Sequence, residues 1–204
     1  MRGEGIFFLM AGPAATGKTT VLGRLLERAE GLARVLSVTT RRPRPGEADG
    51  RDYHFWDRER FQAAVAHGEF LEHAVVHGAD WYGTLKAPVE RVLADGLDAI
   101  KEVDVQGAAQ VRRVWPFPRT VLIFLVPPGP EDLLARFRDR GTEDQEAQRR
   151  RLESAKREVQ HIGEYDYLVY NDTVEQTVAD LLAIRRAEHC RRARREADFA
   201  RRWR

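Results

Sequence analysis

Residues 11–20 read AGPAATGKTT, after an apolar IFFLM at 6–10 and before a helix-like VLGRLLERA at 21–29. Gly12 to Thr19 matches the spacing G-x-x-x-x-G-K-[ST] between a strand and a helix. Glycines at both ends admit backbone angles that turn successive N–H groups toward one anion, and the following helix adds its positive end. Gly12, Pro13, Ala14, Ala15, Thr16, Gly17, Lys18, Thr19 and Thr20 therefore form a candidate phosphate cradle. In it Lys18 would reach the β- and γ-phosphates and the Thr19 hydroxyl would ligate magnesium. The motif identifies a nucleoside triphosphate donor, ATP. It leaves three fates for the terminal phosphate: transfer to water, use as a switch, or transfer to a second molecule.

Outward from this loop, strand-like apolar runs recur at Ile6–Met10, Val35–Val38, Ala99–Val105, Thr120–Val126 and Tyr167–Tyr170. Several lack alternation, as in parallel strands covered on both faces. Helix-period segments separate them, and Val21, Leu22, Leu25, Leu26 and Ala29 share one helical face. Strands alternating with helices predict a doubly wound α/β fold with a parallel sheet.

The length of 204 residues, with 43% hydrophobic and 32% charged residues, suits one globular domain with small insertions. Cys190 is the single cysteine, so no internal disulfide forms. No run approaches the ~20 apolar residues of a membrane span, and the start of the chain reads as strand, loop and helix rather than a leader. A cytoplasmic location, with no membrane partner, is the expectation. Residues 185–204 carry nine arginines against three acids, leaving the first 184 residues with a net charge of −4. This basic tail is read as a solvated terminal helix rather than a nucleic-acid contact.

Two stretches leave the strand–helix rhythm. Residues 39–55, TTRRPRPGEADGRDYHF, form a long polar loop stiffened by Pro43 and Pro45. It holds Arg41, Arg42, Arg44 and Tyr53, whose guanidinium forks and phenol suit phosphate oxygens. A second phosphate site and an internally paired loop, using Glu47, Asp49 and Asp52, are both compatible with it. Residues 131–160 are highly charged, broken by Gly141 and restarted by a capping box, TEDQ, at 142–145.

The stretches SVTTRRPRPGEADGRDYHF, GEFLEHAVVHG, WYGT, EVDVQGA, RDRGTED and YDYLVYND, together with the phosphate loop, resemble the successive signatures of the guanylate kinase family over residues 6–175. The resemblance implies a five-stranded parallel core of the P-loop kinase fold, an inserted monophosphate-binding domain and a mobile helical lid. It implies ATP and GMP (or dGMP) as substrates, with magnesium. The expected division is a core of 1–36, 98–130 and 156–204, a GMP-binding domain of 37–97 and a lid of 131–155. By position, the family's acceptor-phosphate contacts fall on Arg41, Arg44, Tyr53 and Tyr82. Its guanine contacts fall on Ser37, Glu72, Thr84 and Asp104, its transfer-site arginines on Arg136, Arg140 and Arg151, and a donor-side residue on Asn171. Ala14 and Ala15 stand where the family often has serine and glycine, which backbone cradling tolerates.

The residue chemistry agrees with these positions. Guanine presents N1–H and an exocyclic amine side by side, and one carboxylate such as Glu72 accepts from both. Hydroxyls of Ser37 and Thr84 would donate to O6. Adenine would leave a buried carboxylate unpaired, a cost of several kcal/mol. Asp104, at the end of a central strand, suits either the magnesium shell or the guanine side. No general base is needed, because the attacking group is a phosphate oxygen; the six histidines are read as ordinary surface or boundary residues. Guanylate-kinase-like scaffold domains lose phosphate-loop residues, whereas Gly12, Gly17, Lys18 and Thr19 are all present, which favours an enzyme. Lys101 interrupts an otherwise apolar strand, at a strand end or beside an acid.

Overall fold

The computed structural model describes residues 5–76, 80–139 and 145–203. The first apolar run forms β1, Phe7–Ala11, wholly buried, and the phosphate loop carries the chain into α1, Lys18–Arg28. After β2, Leu32–Arg34, come β3, Val38–Thr39, and β4, His54–Phe55. Helix α2, Arg58–Ala66, leads into a hairpin of β5, Phe70–Val76, and β6, Asp80–Leu85. The chain then returns through α3, Lys86–Ala94, to β7, Asp98–Glu102, and α4, Val105–Val114. Strand β8, Thr120–Val126, precedes the charged helices α5, Pro130–Asp139, and α6, Gln145–Val159. Last come β9, Tyr167–Tyr170, α7, Val174–Cys190, and α8, Arg192–Arg202.

Five strands pair in the order β2-β7-β1-β8-β9, each neighbour parallel. The predicted α/β class and its five-stranded parallel core are present. Side chains alternate across the sheet. Phe7, Leu9 and Ala11 face one cluster with Val89, Leu93, Val111 and Trp115. Phe8 and Met10 face another with Val21, Leu22 and Leu25 of α1 and Val178 and Leu181 of α7. Each fully buried Val, Leu, Phe or Met among them contributes about 1.5–3 kcal/mol relative to exposure. The continuous apolar runs thus reflect burial on both faces.

A second sheet of order β4-β3-β6-β5 has its own small core. Val38, Phe61, Ala64 and Phe70 pack there with Trp56 and Trp81, and the Phe61 and Phe70 rings stack at 4.5 Å. Gln110 of α4 ties this sheet to the first: its amide oxygen accepts from His73 N (3.1 Å) and its amide nitrogen donates to His73 O (3.2 Å).

The structure departs from the sequence reading in several places. Val35–Val38 is not one strand: β2 ends at Arg34 in the first sheet and β3 begins at Val38 in the second, so the chain changes sheets between them. Strand β7 stops at Glu102, and Val105 begins α4 because Asp104 caps that helix through Gly107 N at 2.6 Å. Helix α3, placed with the GMP-binding segment on sequence, packs on the parallel sheet through Val89 and Leu93. The expected lid boundary at 155/156 falls inside α6.

The basic tail is docked rather than merely solvated at its start. Arg191 and Arg194 pair with Glu188, itself 1% exposed, at 2.7 and 3.0 Å, and both guanidiniums lie over the Phe117 ring. Beyond them Phe199 and Trp203 stack on each other, exposed, at 5.4 Å.

Candidate active site

The phosphate loop is built at the end of β1 by sterics. Gly12 has φ 146°, and a side chain there would collide with the Leu125 carbonyl of β8. Gly17 has φ 85° and stands at the N-cap of α1 without a side-chain cap, and no acidic residue lies in the first turn. The helix's first N–H groups and its positive end are thus left for an anion. Ala15 adopts φ 62°, a left-handed angle that favours glycine, while its methyl packs with Leu133 of α5 and Ala155 of α6.

Lys18 folds back over the loop and donates to the carbonyls of Gly12 (2.6 Å) and Pro13 (2.8 Å). Thr16 Oγ1 also donates to Pro13 O (2.9 Å), so the loop is held in a closed turn, while Ala14, Thr19 and Thr20 are exposed on it. Arg136 of α5 reaches the same loop: one guanidinium nitrogen donates to Thr16 O (3.2 Å) and another to Asn171 O (2.6 Å). Asn171 is 3% exposed; its amide nitrogen donates to Thr16 O (2.6 Å), and its amide oxygen accepts from Thr177 Oγ1 (2.9 Å). Both ends of this side chain are engaged inside the protein. Asn171 thereby ties the Thr16 carbonyl of the loop to Thr177 of α7.

Thr19 Oγ1 donates to Glu102 Oε2 at 3.2 Å, while Glu102 Oε1 is buried without a hydrogen-bond partner. These hard oxygen donors at the mouth of a phosphate loop fit a small divalent cation that also holds substrate phosphates and water. Among the described residues no cluster of three or more His, Cys, Asp or Glu side chains exists that could hold a metal by itself. Glu102 was not singled out on sequence. Its signal was the alternation of β7: Ile100 faces α1, so Glu102, two residues on, faces that side too.

Across the sheet lies the second constellation. Glu72 of β5 is 9% exposed and accepts from Thr84 Oγ1 of β6, its register partner. Burial pushes the Glu72 carboxyl above the usual range, opposed by the Lys101 charge and the Thr84 hydroxyl. Thr84 Oγ1, expected on sequence to donate to O6, here donates to Glu72. Asp104 caps α4 on this side, and a side chain at Gly107 would meet both Asp104 Oδ1 and Glu72 Oε2 at 3.2 Å. Of the two acids at the end of β7, Glu102 meets Thr19 and Asp104 borders Glu72.

Lys101, 3% exposed, donates through Nζ to Ser37 Oγ. Burial pushes its ammonium down to about 8, with Arg34 acting the same way and the charges of Glu72 and Glu102 opposing.

The arginine loop is internally paired and also clustered. Arg41 donates to Tyr82 Oη (3.0 Å) and pairs with Glu47 (2.9 Å), and its guanidinium lies 5.5 Å from the Tyr53 ring centre. Tyr53 and Tyr82 meet edge to face at 6.0 Å. Glu47 also accepts from the Arg44 main-chain N–H (2.8 Å), and the Arg44 side chain is exposed. Of the two sequence alternatives for this loop the internal pairing is the one present, with Glu47 on the Arg41 guanidinium. Arg41, Tyr53 and Tyr82 converge, while Asp49 accepts from Phe55 N and Asp52 from Ala48 N within the loop's own turns.

A cleft of about 770 Å³ opens between α4 and α6, lined among others by Asp104, Gln110, Ser154, Arg157 and Glu158. On α6, Arg149 and Arg150 pair along the helix with Glu153 and Glu146, and Arg151 is less exposed than either. Arg140 and residues 142–144 of the capping box lie outside the described residues.

Comparison with known proteins agrees with this geometry. The family model described as guanylate kinase matches residues 6–188. A guanylate kinase of Dechloromonas aromatica is 43% identical over 201 residues, covering 97% of this chain and 98% of that protein. One from a strain of Thermus thermophilus is 47% identical over 194 residues, covering 95% and 84%. The crystal structure of guanylate kinase from Anaplasma phagocytophilum superposes with a TM-score of 0.75 at 32% identity, covering 95% of this chain and 90% of that one. With a parallel sheet, a phosphate loop and a buried carboxylate on a second sheet already in place, these matches establish that the chain belongs to the guanylate kinase family.

Proposed function

We propose that the chain transfers the γ-phosphate of ATP to GMP, and to dGMP, giving ADP and the corresponding guanosine diphosphate. The observation that carries this reading is Glu72, a buried carboxylate ordered by Thr84 on a sheet separate from the phosphate loop. It offers two acceptor oxygens to a base edge that presents two donors side by side.

In this reading the loop N–H groups, Lys18 and Arg136 bind the donor phosphates, with Arg151 of α6 and Arg140, which lies outside the described residues, adding charge. Lys18 must leave the Gly12 and Pro13 carbonyls to do so, and the bound anion compensates by pairing with its ammonium. Arg41, Arg44, Tyr53 and Tyr82 hold the acceptor phosphate, which displaces Glu47 from Arg41. Ser37 and Glu72 orient the base. A phosphate oxygen of the acceptor attacks the γ-phosphorus, and the bond to the β-phosphate oxygen breaks, leaving ADP. Positioning and charge neutralisation suffice, since the acceptor phosphate's second pKa of about 6 leaves it largely dianionic. Magnesium, when bound with ATP, screens charge on the phosphates, and Thr19 and Glu102 are the residues that would hold it.

The segment between β3 and β6 serves as the acceptor unit, and α5 with α6 serve as the lid that excludes water. No described helix is long and apolar enough to cross a membrane, and the substrates of this reading are small molecules.

An ADP-release assay with GMP, dGMP, AMP, CMP, UMP and no acceptor tests the reading. GMP and dGMP should support turnover at least about a hundredfold above the others, the discrimination expected of a buried polar site. Equal ADP release without acceptor would refute it.

A further inference from the structure

Strand β7 places two charged residues next to each other on opposite faces of the parallel sheet. Lys101 pairs in register with Leu9, whose side chain faces the cluster of Trp115 and Leu71; Glu102 pairs with Met10, which faces α1. Glu102 thereby belongs to the donor side. Lys101 occupies a core position, where lysine is almost never found unless paired. Its hydrogen-bond partner, Ser37, is on the acceptor side, and the charges that favour its ammonium are those of Glu72 on that side and of its chain neighbour Glu102.

We propose that Lys101 is a positioning and specificity-determining residue of the acceptor base site, fixing Ser37 as a hydrogen-bond donor and Glu72 as an acceptor. An ammonium has three N–H donors and no acceptor. With Lys101 donating to Ser37 Oγ, the Ser37 proton must point elsewhere, so the hydroxyl presents a donor to the site. The same positive charge favours the ionised form of Glu72, and Thr84 already donates to one of its oxygens. The resulting order, one donor beside one doubly accepting carboxylate, matches a 6-oxopurine with N1–H and a 2-amine. A 6-aminopurine would set its amine against the Ser37 proton and its N1 lone pair against the carboxylate. Without Lys101, Ser37 can rotate to accept from such an amine, and Glu72 loses the charge that opposes its protonation.

This rests on the reading of GMP as acceptor, and the test separates the two. The full-length chain, Lys101→Met, Lys101→Gln, Ser37→Ala and the Ser37→Ala/Lys101→Met double variant are compared, with thermal melts as a folding check. Kinetics are measured with GMP or AMP varied at saturating ATP, and with ATP varied at saturating GMP. Lys101→Met should raise KM for GMP about tenfold to a hundredfold, the loss of a hydrogen bond to a charged group. KM for ATP should stay within about twofold, and the preference for GMP over AMP should fall about tenfold. The Lys101→Met change should cost less on the Ser37→Ala background than on the wild type, because the two act through one contact. Lys101→Gln keeps a donor for Ser37 and drops the charge, and should fall between; it also carries the test if the methionine variant does not fold.

Unchanged KM for GMP and unchanged preference in a folded variant would overturn the proposal. So would a parallel rise in KM for both nucleotides, which is what mere distortion of β7 would give. A wild-type chain that takes AMP as readily as GMP would overturn the acceptor reading itself, before Lys101 is at issue.

Discussion

Thr19 and Glu102 stand 83 residues apart in the chain, yet Thr19 Oγ1 lies 3.2 Å from Glu102 Oε2 at the mouth of the phosphate loop. Parallel pairing of β1 with β7, in which Met10 sits opposite Glu102, brings them together. The remaining Glu102 oxygen is buried and unsatisfied, an arrangement that costs free energy unless a cation or ordered water uses it.

Replacing Glu102 by Gln should therefore raise the magnesium concentration needed for half-maximal turnover by about tenfold or more. KM for GMP should be unaffected. A magnesium titration at saturating nucleotides reads this directly, and an unchanged profile would remove Glu102 from the cation side.

Glu72→Ala should lower kcat/KM for GMP about 10²- to 10⁴-fold, since a site built for a donor pair loses its acceptor, with little effect on ATP binding. Acid should act in the same direction. Burial holds the Glu72 carboxyl above the ordinary value, and the proposed pairing with GMP requires it ionised. Affinity for GMP should thus begin to fall, as pH is lowered, above the roughly 4.3 of an unperturbed glutamate. Stability follows the opposite sign: the folded state binds this proton more readily than the unfolded chain, so Glu72 makes folding more favourable as pH falls through that window. Calorimetric GMP binding against pH distinguishes the two.

Asp98 anchors α7 to the parallel sheet. It is 2% exposed and accepts from Ile6 N (2.8 Å), Arg185 (2.5 Å) and His189 (2.8 Å). Burial alone would raise its carboxyl, but these donors outweigh it and hold it below the usual range. A depressed folded pKa gives stability that is present above the unfolded value of about 3.9 and is lost as pH falls through the folded one. Asp98→Asn should cost roughly 3 kcal/mol near neutral pH, as breaking a buried charge pair does. The gap between variant and wild type in thermal melts should narrow in acid.

Ending the chain at Cys190 should leave kcat and both KM values within about twofold and lower Tm by about 2–4 °C, equivalent to about 1 kcal/mol for a chain of this size. Removing α8 takes away the Arg191 and Arg194 partners of Glu188 and the two guanidiniums that lie over the already exposed Phe117 ring. A large loss of turnover would place α8 in the active site instead.

The phosphate loop was legible in sequence because it is local: Gly12, Gly17, Lys18 and Thr19 lie within eight residues of one another, and backbone sterics with a helix end do the rest. The parallel core was legible for a related reason, since burial on both faces leaves unbroken apolar runs such as Thr120–Val126. The hairpin of β5 and β6 escaped composition and periodicity because Glu72 and Thr84, polar on sequence, are its buried pair. The family resemblance implies a transfer-site role for Arg136, but its contact with Thr16 and Asn171 requires α5 to be laid over the loop.

What the sequence determined by itself was the chemistry available: a triphosphate cradle, a chain of alternating strands and helices, and a second set of arginines and acids. The tertiary structure decided the allocation of those groups to sites. A strand turns successive side chains to opposite faces, so only the pairing of β7 with β1 could send Lys101 toward Ser37 and Glu72 and its neighbour Glu102 toward Thr19. Nothing in a one-dimensional reading of IKEVD distinguishes those two directions, because the direction is fixed by which strands lie on either side.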